Sequence, residues 1–198
     1  MNRKPLSDDA LDTLFRSARS HSHWLDQPVS DDLLHELYEL MKWGPTSGNC
    51  TPARLVFVRS QEAKERLKPC LDTGNVNKSM TAPVVAIIGM DMEFYEKLPR
   101  LFPHNLEARS WFAGKPEKIQ ETAFRNSSLQ GAYFILAARS LGLDCGPMSG
   151  FDKQKLDAEF FPDGKIKSNF ICAFGYADYS RVYPRGPRLD YAEVCRVE

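Results

Sequence analysis

Six residues, Gly44-Pro45-Thr46-Ser47-Gly48-Asn49, concentrate breakers, two hydroxyls and an amide directly behind an amphipathic stretch. Such a segment suits a polar ligand. Pro45 stops the preceding helix, the helix end leaves backbone groups unpaired, and Thr46, Ser47 and Asn49 supply short side chains that fix the loop or face a ligand. A well-made turn has the same composition. A second breaker-rich loop, Gly146-Pro147-Met148-Ser149-Gly150, allows close backbone approach to a flat ligand and leaves the NH groups of Met148, Ser149 and Gly150 free to point at it. It reads equally as a strand-to-helix turn, with Asp152 capping the next helix. Guanidinium binds phosphate through two hydrogen bonds in one plane, and Arg19-Ser20, Arg185 and Arg188 offer that chemistry. Exposed arginines commonly do no more than solvate a surface, and sequence distance alone does not pair these positions.

Other familiar chemistry is missing. The chain has no G-x-G-x-x-G, no P-loop, no H-E-x-x-H and no G-x-S-x-G. His21, His23, His35 and His104 have no carboxylate partner by spacing and read as structural or exposed. Cys50, Cys70, Cys145, Cys172 and Cys195 form no C-x-x-C pair and no zinc-like pattern with histidine, so no metal site is expected and the thiols are expected to be reduced. With no evident acid, base or nucleophile, the pattern suggests that a cofactor carries the reaction.

The elements that must position these groups follow from periodicity. The 198 residues are 42% hydrophobic and 26% charged, which fits one globular domain over residues 1–198. A formal net charge of zero with no basic stripe argues against nucleic acid and anionic membranes as partners. The charged start and the lack of a long apolar run lead to an expected cytoplasmic location. Ser7 caps a first helix with Leu11, Leu14, Phe15 and Ala18 on one face, ending among His21, Ser22 and His23. Ser30 opens a second, with Leu33, Leu37, Leu40 and Met41 as its stripe, stopping at Gly44-Pro45. Strands are expected at 55–58, 84–88 and 169–175, and a short capped helix from Ser60 to Leu67. The strand, helix, strand order suggests α/β packing. Residues 91–116 show little period and read as a lid or arm, or as surface wrapping. The longest helix is expected from Glu117 to Leu141, too apolar between Ala132 and Ala138 for a free surface.

In this order the loops resemble the FMN-dependent nitroreductase family over nearly the full length. Arg19-Ser20, followed by Trp24-Leu25-Asp26-Gln27-Pro28-Val29, resembles the family's opening R-S-x-R-x-F-x-D-x-P-V, and Pro45-Thr46-Ser47-Gly48-Asn49 resembles its P-S-S-x-N loop. Asn75 before Lys78 and Ala82, the segment Gly142 to Phe151, and Arg185-Gly186-Pro187-Arg188 complete the match. Within the family, Lys42 to Ser47, Cys50 to Arg54 and Phe102-Pro103-His104 resemble the RutE-type malonic semialdehyde reductases of pyrimidine catabolism. Two positions depart. Ser22 stands where the opening motif has its second basic residue, and Ala53 where many relatives carry an aromatic.

The resemblance implies an α+β, three-layer α-β-α fold with a mostly antiparallel central sheet, assembled as an interlocked homodimer with FMN at the subunit boundary. It implies that Arg19, Ser20 and His21 reach the FMN phosphate and ribityl region with Arg185 and Arg188. Pro45, Thr46, Ser47 and Asn49 would line the ring and ribityl chain. Asn75 and Lys78 would contact the pyrimidine edge, with Pro147, Met148, Ser149 and Gly150 facing the reactive side of the ring. NAD(P)H would deliver hydride to FMN and leave, and the substrate would take it from N5 in the same space. For an aldehyde acid, Arg54, Arg109 or Lys97 would hold the carboxylate and His104 would supply the proton. A general nitro or quinone reductase, or a flavin-free dimeric binding module, are the rival readings.

Overall fold

A computed structural model describes residues 4–198. Its centre is a four-stranded sheet in the order β1-β2-β4-β3, formed by β1 (Ala53–Val58), β2 (Val84–Asp91), β3 (Asp144–Met148) and β4 (Ile166–Gly175). Every pairing is antiparallel, with Val58 opposite Val85, Val84 opposite Phe174 and Met148 opposite Ile171. The α/β packing suggested by strand, helix, strand order is therefore corrected. Two helices separate β1 from β2, α3 (Gln61–Leu67) and α4 (Thr73–Thr81), and this pair returns the chain to the end of the sheet it left. The outcome is the three-layer, antiparallel α+β fold.

All eight residues of β2 are buried, which requires cover on both faces. Val84, Ala86 and Ile88 point to one side, into a core with Phe134, Ala137, Ala138 and Phe174 under α2 (Asp31–Met41) and α6 (Pro116–Ser140). Val85 and Ile87 point to the other, against Leu67, Leu156 and Phe161 beneath α3 and α7 (Lys153–Phe160). Phe134 meets Phe174 edge to face, with ring centroids 5.2 Å apart, where α6 crosses the sheet. A third core, of Cys50, Met90, Phe94, Leu98, Ala108, Phe112 and Ala123, lies under residues 91–116, which contain α5 (Leu98–Leu101).

Local expectations fare unevenly. The Ser30 and Ser60 hydroxyls accept from the Leu33 and Ala63 amides as N-caps, and Asp152 accepts from Gln154 and Lys155. On α2 the buried stripe is Leu34, Leu37 and Met41, while Leu40 is exposed, a shift of phase set by where α6 lies. The first helix is shorter than expected: α1 (Asp8–Leu11) widens into a π turn at Asp12–Arg16 and stops, because residues 20–21 are drawn onto the edge of β3. Residues 144–148 form a strand where a loop was expected; Pro147 is tolerated because β3 is an edge strand.

Phe134→Ala is expected to lower unfolding free energy by about 3–5 kcal/mol through the cavity it leaves. Urea denaturation measures it. A loss below about 1 kcal/mol would show that the α6–sheet contact carries little of the stability.

Candidate functional site

One group of expected site residues gathers at the outer edge of β3. Ser20 bridges Cys145 in parallel fashion, and the His21 amide donates to the Cys145 carbonyl at 3.0 Å. The loop sits so closely that a Cβ on Gly146 would fall 2.2 Å from the His21 carbonyl oxygen. Only glycine fits there. The tail is laced to the same loop: the Arg19 guanidinium donates to the Tyr183 carbonyl, while Arg185 Nη2 donates to the carbonyls of Arg16 at 2.7 Å and Ala18 at 2.9 Å. Two arginines that the sequence sets far apart thus reach across between the loop of residues 16–19 and the tail of residues 183–185.

The helix α4 joins this edge from the other side. Asn75 Nδ2 donates to the Gly150 carbonyl at 2.7 Å, and the indole Nε1 of Trp24 donates to the Lys78 carbonyl at 3.0 Å. A Cβ at Gly150 would come within 2.6 Å of Asn75 Nδ2 and 2.8 Å of Asp72 Oδ2, so a side chain there would displace these two groups. Among the described residues the Ser149 and Gly150 amides donate to no other group. Two guanidinium groups, a hydroxyl, a carboxamide and two free amides form a donor set that suits a phosphorylated flavin. Not every expected contributor presents its side chain. Met148 is buried under Ser79, and the ring of His21 is turned into the protein, so neither side chain is presented; among the described residues Arg188 donates to the neighbouring carbonyls of Gly186 and Pro187 alone.

The second group, Pro45 to Asn49, lies elsewhere. Ser47 donates its amide to Asn126 Oδ1 at 2.8 Å, the Thr51 amide donates to Thr46 Oγ1 at 3.1 Å, and Asn49 Nδ2 donates to the Leu101 carbonyl at 2.8 Å. Asn49 and Thr51 have φ of +51° and +36°, a conformation that costs side-chain-bearing residues energy and is held here by those bonds. Beside the loop opens a cavity of about 860 Å³ whose lining includes Tyr38, Trp43, Asn49, Phe57 and Arg100. Among the described residues no hydrogen bond joins this loop to the β3 edge. Within this chain the expected site residues fall into two separate groups.

The candidate substrate cations already have partners. Arg54 donates to Asp91 Oδ2 at 2.6 Å and to the Thr51 and Ala53 carbonyls, Lys97 donates to the same Asp91 oxygen at 2.7 Å, and Arg109 forms a two-pronged pair with Glu96 at 2.7 Å. Arg100 lines the cavity and has no ion pair among the described residues. His104 is exposed, with its ring 3.8 Å from that of Phe102. Burial pushes the Asp91 carboxyl up, but Lys97, the Glu93 amide and Arg54 together hold it below the usual carboxylate range. Burial also pushes the Cys50 thiol up to about 11, which keeps it protonated at neutral pH and unfit as a nucleophile.

Two features escaped the sequence reading. Asn126 and Gln130 are buried on α6 and grip the amides of Ser47 and Ala53; their i, i+4 spacing on an apolar helix was the available signal. Asp144 accepts from Tyr179 Oη and the Ala177 amide, and no spacing rule links those positions.

A profile of the nitroreductase family matches residues 15–176. The chain belongs to the nitroreductase family. It is 62% identical over 193 residues to a Burkholderia lata protein provisionally named NADH dehydrogenase/NAD(P)H nitroreductase, covering 98% of each chain. A Polynucleobacter asymbioticus protein of the same provisional name is 58% identical over 192 residues, covering 97% of each. Among solved structures, a Bacillus subtilis protein provisionally named as a nitroreductase superposes with a TM-score of 0.89 at 22% identity, over 97% of this chain and all of that one. One from Exiguobacterium sibiricum, solved in complex with FMN, gives 0.86 at 18% identity over 99% of this chain and 100% of its own.

Gly146→Ala is expected to lower stability by about 1–3 kcal/mol, since backbone at the site cannot yield cheaply. An unchanged thermal midpoint would mean that residues 19–22 do not seat on β3 as described. Because the Asp91 pKa is lowered by folding, its contribution is complete above the ordinary carboxylate pKa of about 3.9 and is lost as pH falls through the depressed folded value. Urea midpoints of the wild type should therefore fall more steeply than those of Asp91→Asn on acidification. Parallel curves would remove Asp91 from the acid response.

Proposed function

We propose that the protein is an FMN-dependent NAD(P)H oxidoreductase acting as a homodimer on a small molecule. The observation that carries this reading is the reciprocal lacing of loop and tail, which sets Arg19, Ser20 and Arg185 together as a cradle for a dianion. FMN, when bound, supplies a two-electron store able to take hydride from a nicotinamide nucleotide and return it to an acceptor. The residues of the chain bind and orient. Arg19 and Arg185 would hold the phosphate with Ser20, while Asn75 would hold the pyrimidine edge with Lys78. The Ser149 and Gly150 amides would donate to the ring's electron-rich side, an arrangement that favours the reduced form.

The separated halves support the dimer reading. A partner's Pro45-to-Asn49 loop can complete the β3 cradle only across a subunit boundary, and α6 leaves the apolar side chains of Phe124, Leu129 and Tyr133 exposed, surface that such a boundary would cover. The segment 91–116 would then act as a cover whose tip, tied by Leu101 to Asn49, carries His104. No helix among the described residues is long and apolar enough to cross a membrane, and we take a cytoplasmic setting as part of the proposal.

The acceptor we propose is a short aldehyde acid such as malonic semialdehyde, reduced to 3-hydroxypropionate in pyrimidine catabolism. His104 would give the proton to the new alkoxide. Arg54, Lys97 and Arg109 are already paired, so the free guanidinium of Arg100 is better placed to take the carboxylate, with Arg54 and Arg109 as the sequence-based candidates. A second reading is a general nitro or quinone reductase, and the nitro part of it is favoured by the provisional names of the relatives.

Purified protein is expected to be yellow and to release FMN on denaturation; a colourless preparation that binds no added FMN would favour the flavin-free alternative. Steady-state rates with malonic semialdehyde, nitrofurazone and a quinone separate the acceptors, and a negligible aldehyde rate beside rapid nitro reduction would overturn the first. Arg19→Ala should retain less FMN than Glu62→Ala, a deletion of an exposed charge on α3 outside the cradle. Equal flavin content in the two would contradict the phosphate assignment.

A further inference from the structure

We propose that Asp144 is the positioning residue of the phosphate cradle: its single carboxylate registers the loop bearing Arg19 and Ser20 against the tail bearing Arg185. The inference rests on the reading that FMN binds at the β3 edge. Three pieces of chain converge on this side chain. Asp144 opens β3 opposite Gly175, the last residue of β4. Its Oδ1 accepts from Tyr179 Oη at 2.8 Å, its Oδ2 accepts from the Ala177 amide at 3.3 Å, and the His21 Nε2 atom lies 3.3 Å from Oδ1.

On the loop side the geometry leaves His21 little choice. Its side chain is 1% exposed, and Nε2 makes no well-aligned hydrogen bond to any described residue, so the Asp144 carboxylate is the one polar group within ion-pairing distance of that buried nitrogen. Leaving such an atom without a partner is costly, which orients the ring toward the carboxylate. The His21 amide is fixed to Cys145 at the same time. With ring and backbone both held, the two preceding residues, Arg19 and Ser20, have a defined exit from the sheet edge.

On the tail side, the ring of Tyr179 packs 4.8 Å from that of His21, centroid to centroid, while its hydroxyl reaches the same carboxylate oxygen. Burial and the neighbouring carboxylate push the Tyr179 hydroxyl up to about 12, so it remains a donor through the neutral range. Burial pushes Asp144 up, yet the His21 imidazole beside it, the Tyr179 hydroxyl and the Ala177 amide outweigh that and hold it below the usual carboxylate range. The tail then runs from Tyr179 past Tyr183, which receives Arg19, to Arg185, which returns to Arg16 and Ala18. Releasing Asp144 loosens both ends of that exchange at once, while the Asn75 side chain and the Gly150 and Lys78 carbonyls are tied by other contacts.

This division gives a test that general damage would not mimic. Riboflavin has the ring and ribityl chain of FMN but no phosphate. Dissociation constants for FMN and riboflavin are measured by flavin fluorescence on apoprotein of the wild type, Asp144→Asn, Tyr179→Phe and, as control, Glu62→Ala, which removes an exposed charge on α3. The Asp144→Asn protein should bind FMN about tenfold more weakly, the scale of one charge-assisted hydrogen bond, with riboflavin affinity changed by less than about twofold. Tyr179→Phe, at an exposed ring, should weaken FMN by about threefold with the same selectivity, and decides the matter where Asp144→Asn does not fold. Equal weakening of both flavins, or unchanged FMN affinity in both variants, would overturn the role of Asp144. A wild-type protein that binds neither flavin would overturn the FMN reading itself, and the role of Asp144 with it.

Discussion

The buried amide side chains of α6 are the constraint on which the layout around this helix depends. Asn126 and Gln130 lie in a dry layer between the helix and the sheet, where an unpaired carboxamide would cost about 1–3 kcal/mol. Each therefore dictates where a backbone amide must lie. Asn126 fixes Ser47, and Gln130 fixes Ala53 at the head of β1. Ser127 and Ser128 accept from Asn169 on β4, two strands further across. A single helix thereby holds the polar loop, the first strand and the fourth in one register.

Against that scaffold the two halves of the site contrast. The β3 edge is assembled by exchange between chain ends, so its precision comes from many modest bonds to carbonyl oxygens. The Pro45-to-Asn49 loop is held by buried side chains and includes left-handed residues that would relax if released. One half is laced; the other is clamped. A ligand spanning both would meet a rigid lip on one side and, on the other, a cradle whose shape follows the tail.

What the sequence made legible tracks how local each cause is. The span of α6, the capped starts at Ser30 and Ser60 and the buried run of β2 follow from spacing along the chain, and they stand where expected within a few residues. Helix α4 was not legible, because Gly74, Asn75 and Asn77 favour turns; its place is set by Asn75 reaching Gly150 and by Trp24 closing on Lys78. Likewise Gly146 and Pro147 disguise β3, which survives as a strand because one side of it needs no ladder partner. Motifs supplied the candidates for the site and left their geometry open: nothing in the spacing of Pro45, Ser47 and Asn49 says whether they adjoin Arg19 and Gly150.

That separation has a genetic consequence on the two-copy reading. A lesion in the clamped loop and a lesion in the laced edge strike different pockets when they sit on different polypeptides. Mixed assemblies of two such defective alleles would retain one wholly undamaged pocket beside one doubly damaged pocket, so heterozygous cells could recover function that neither allele supplies alone.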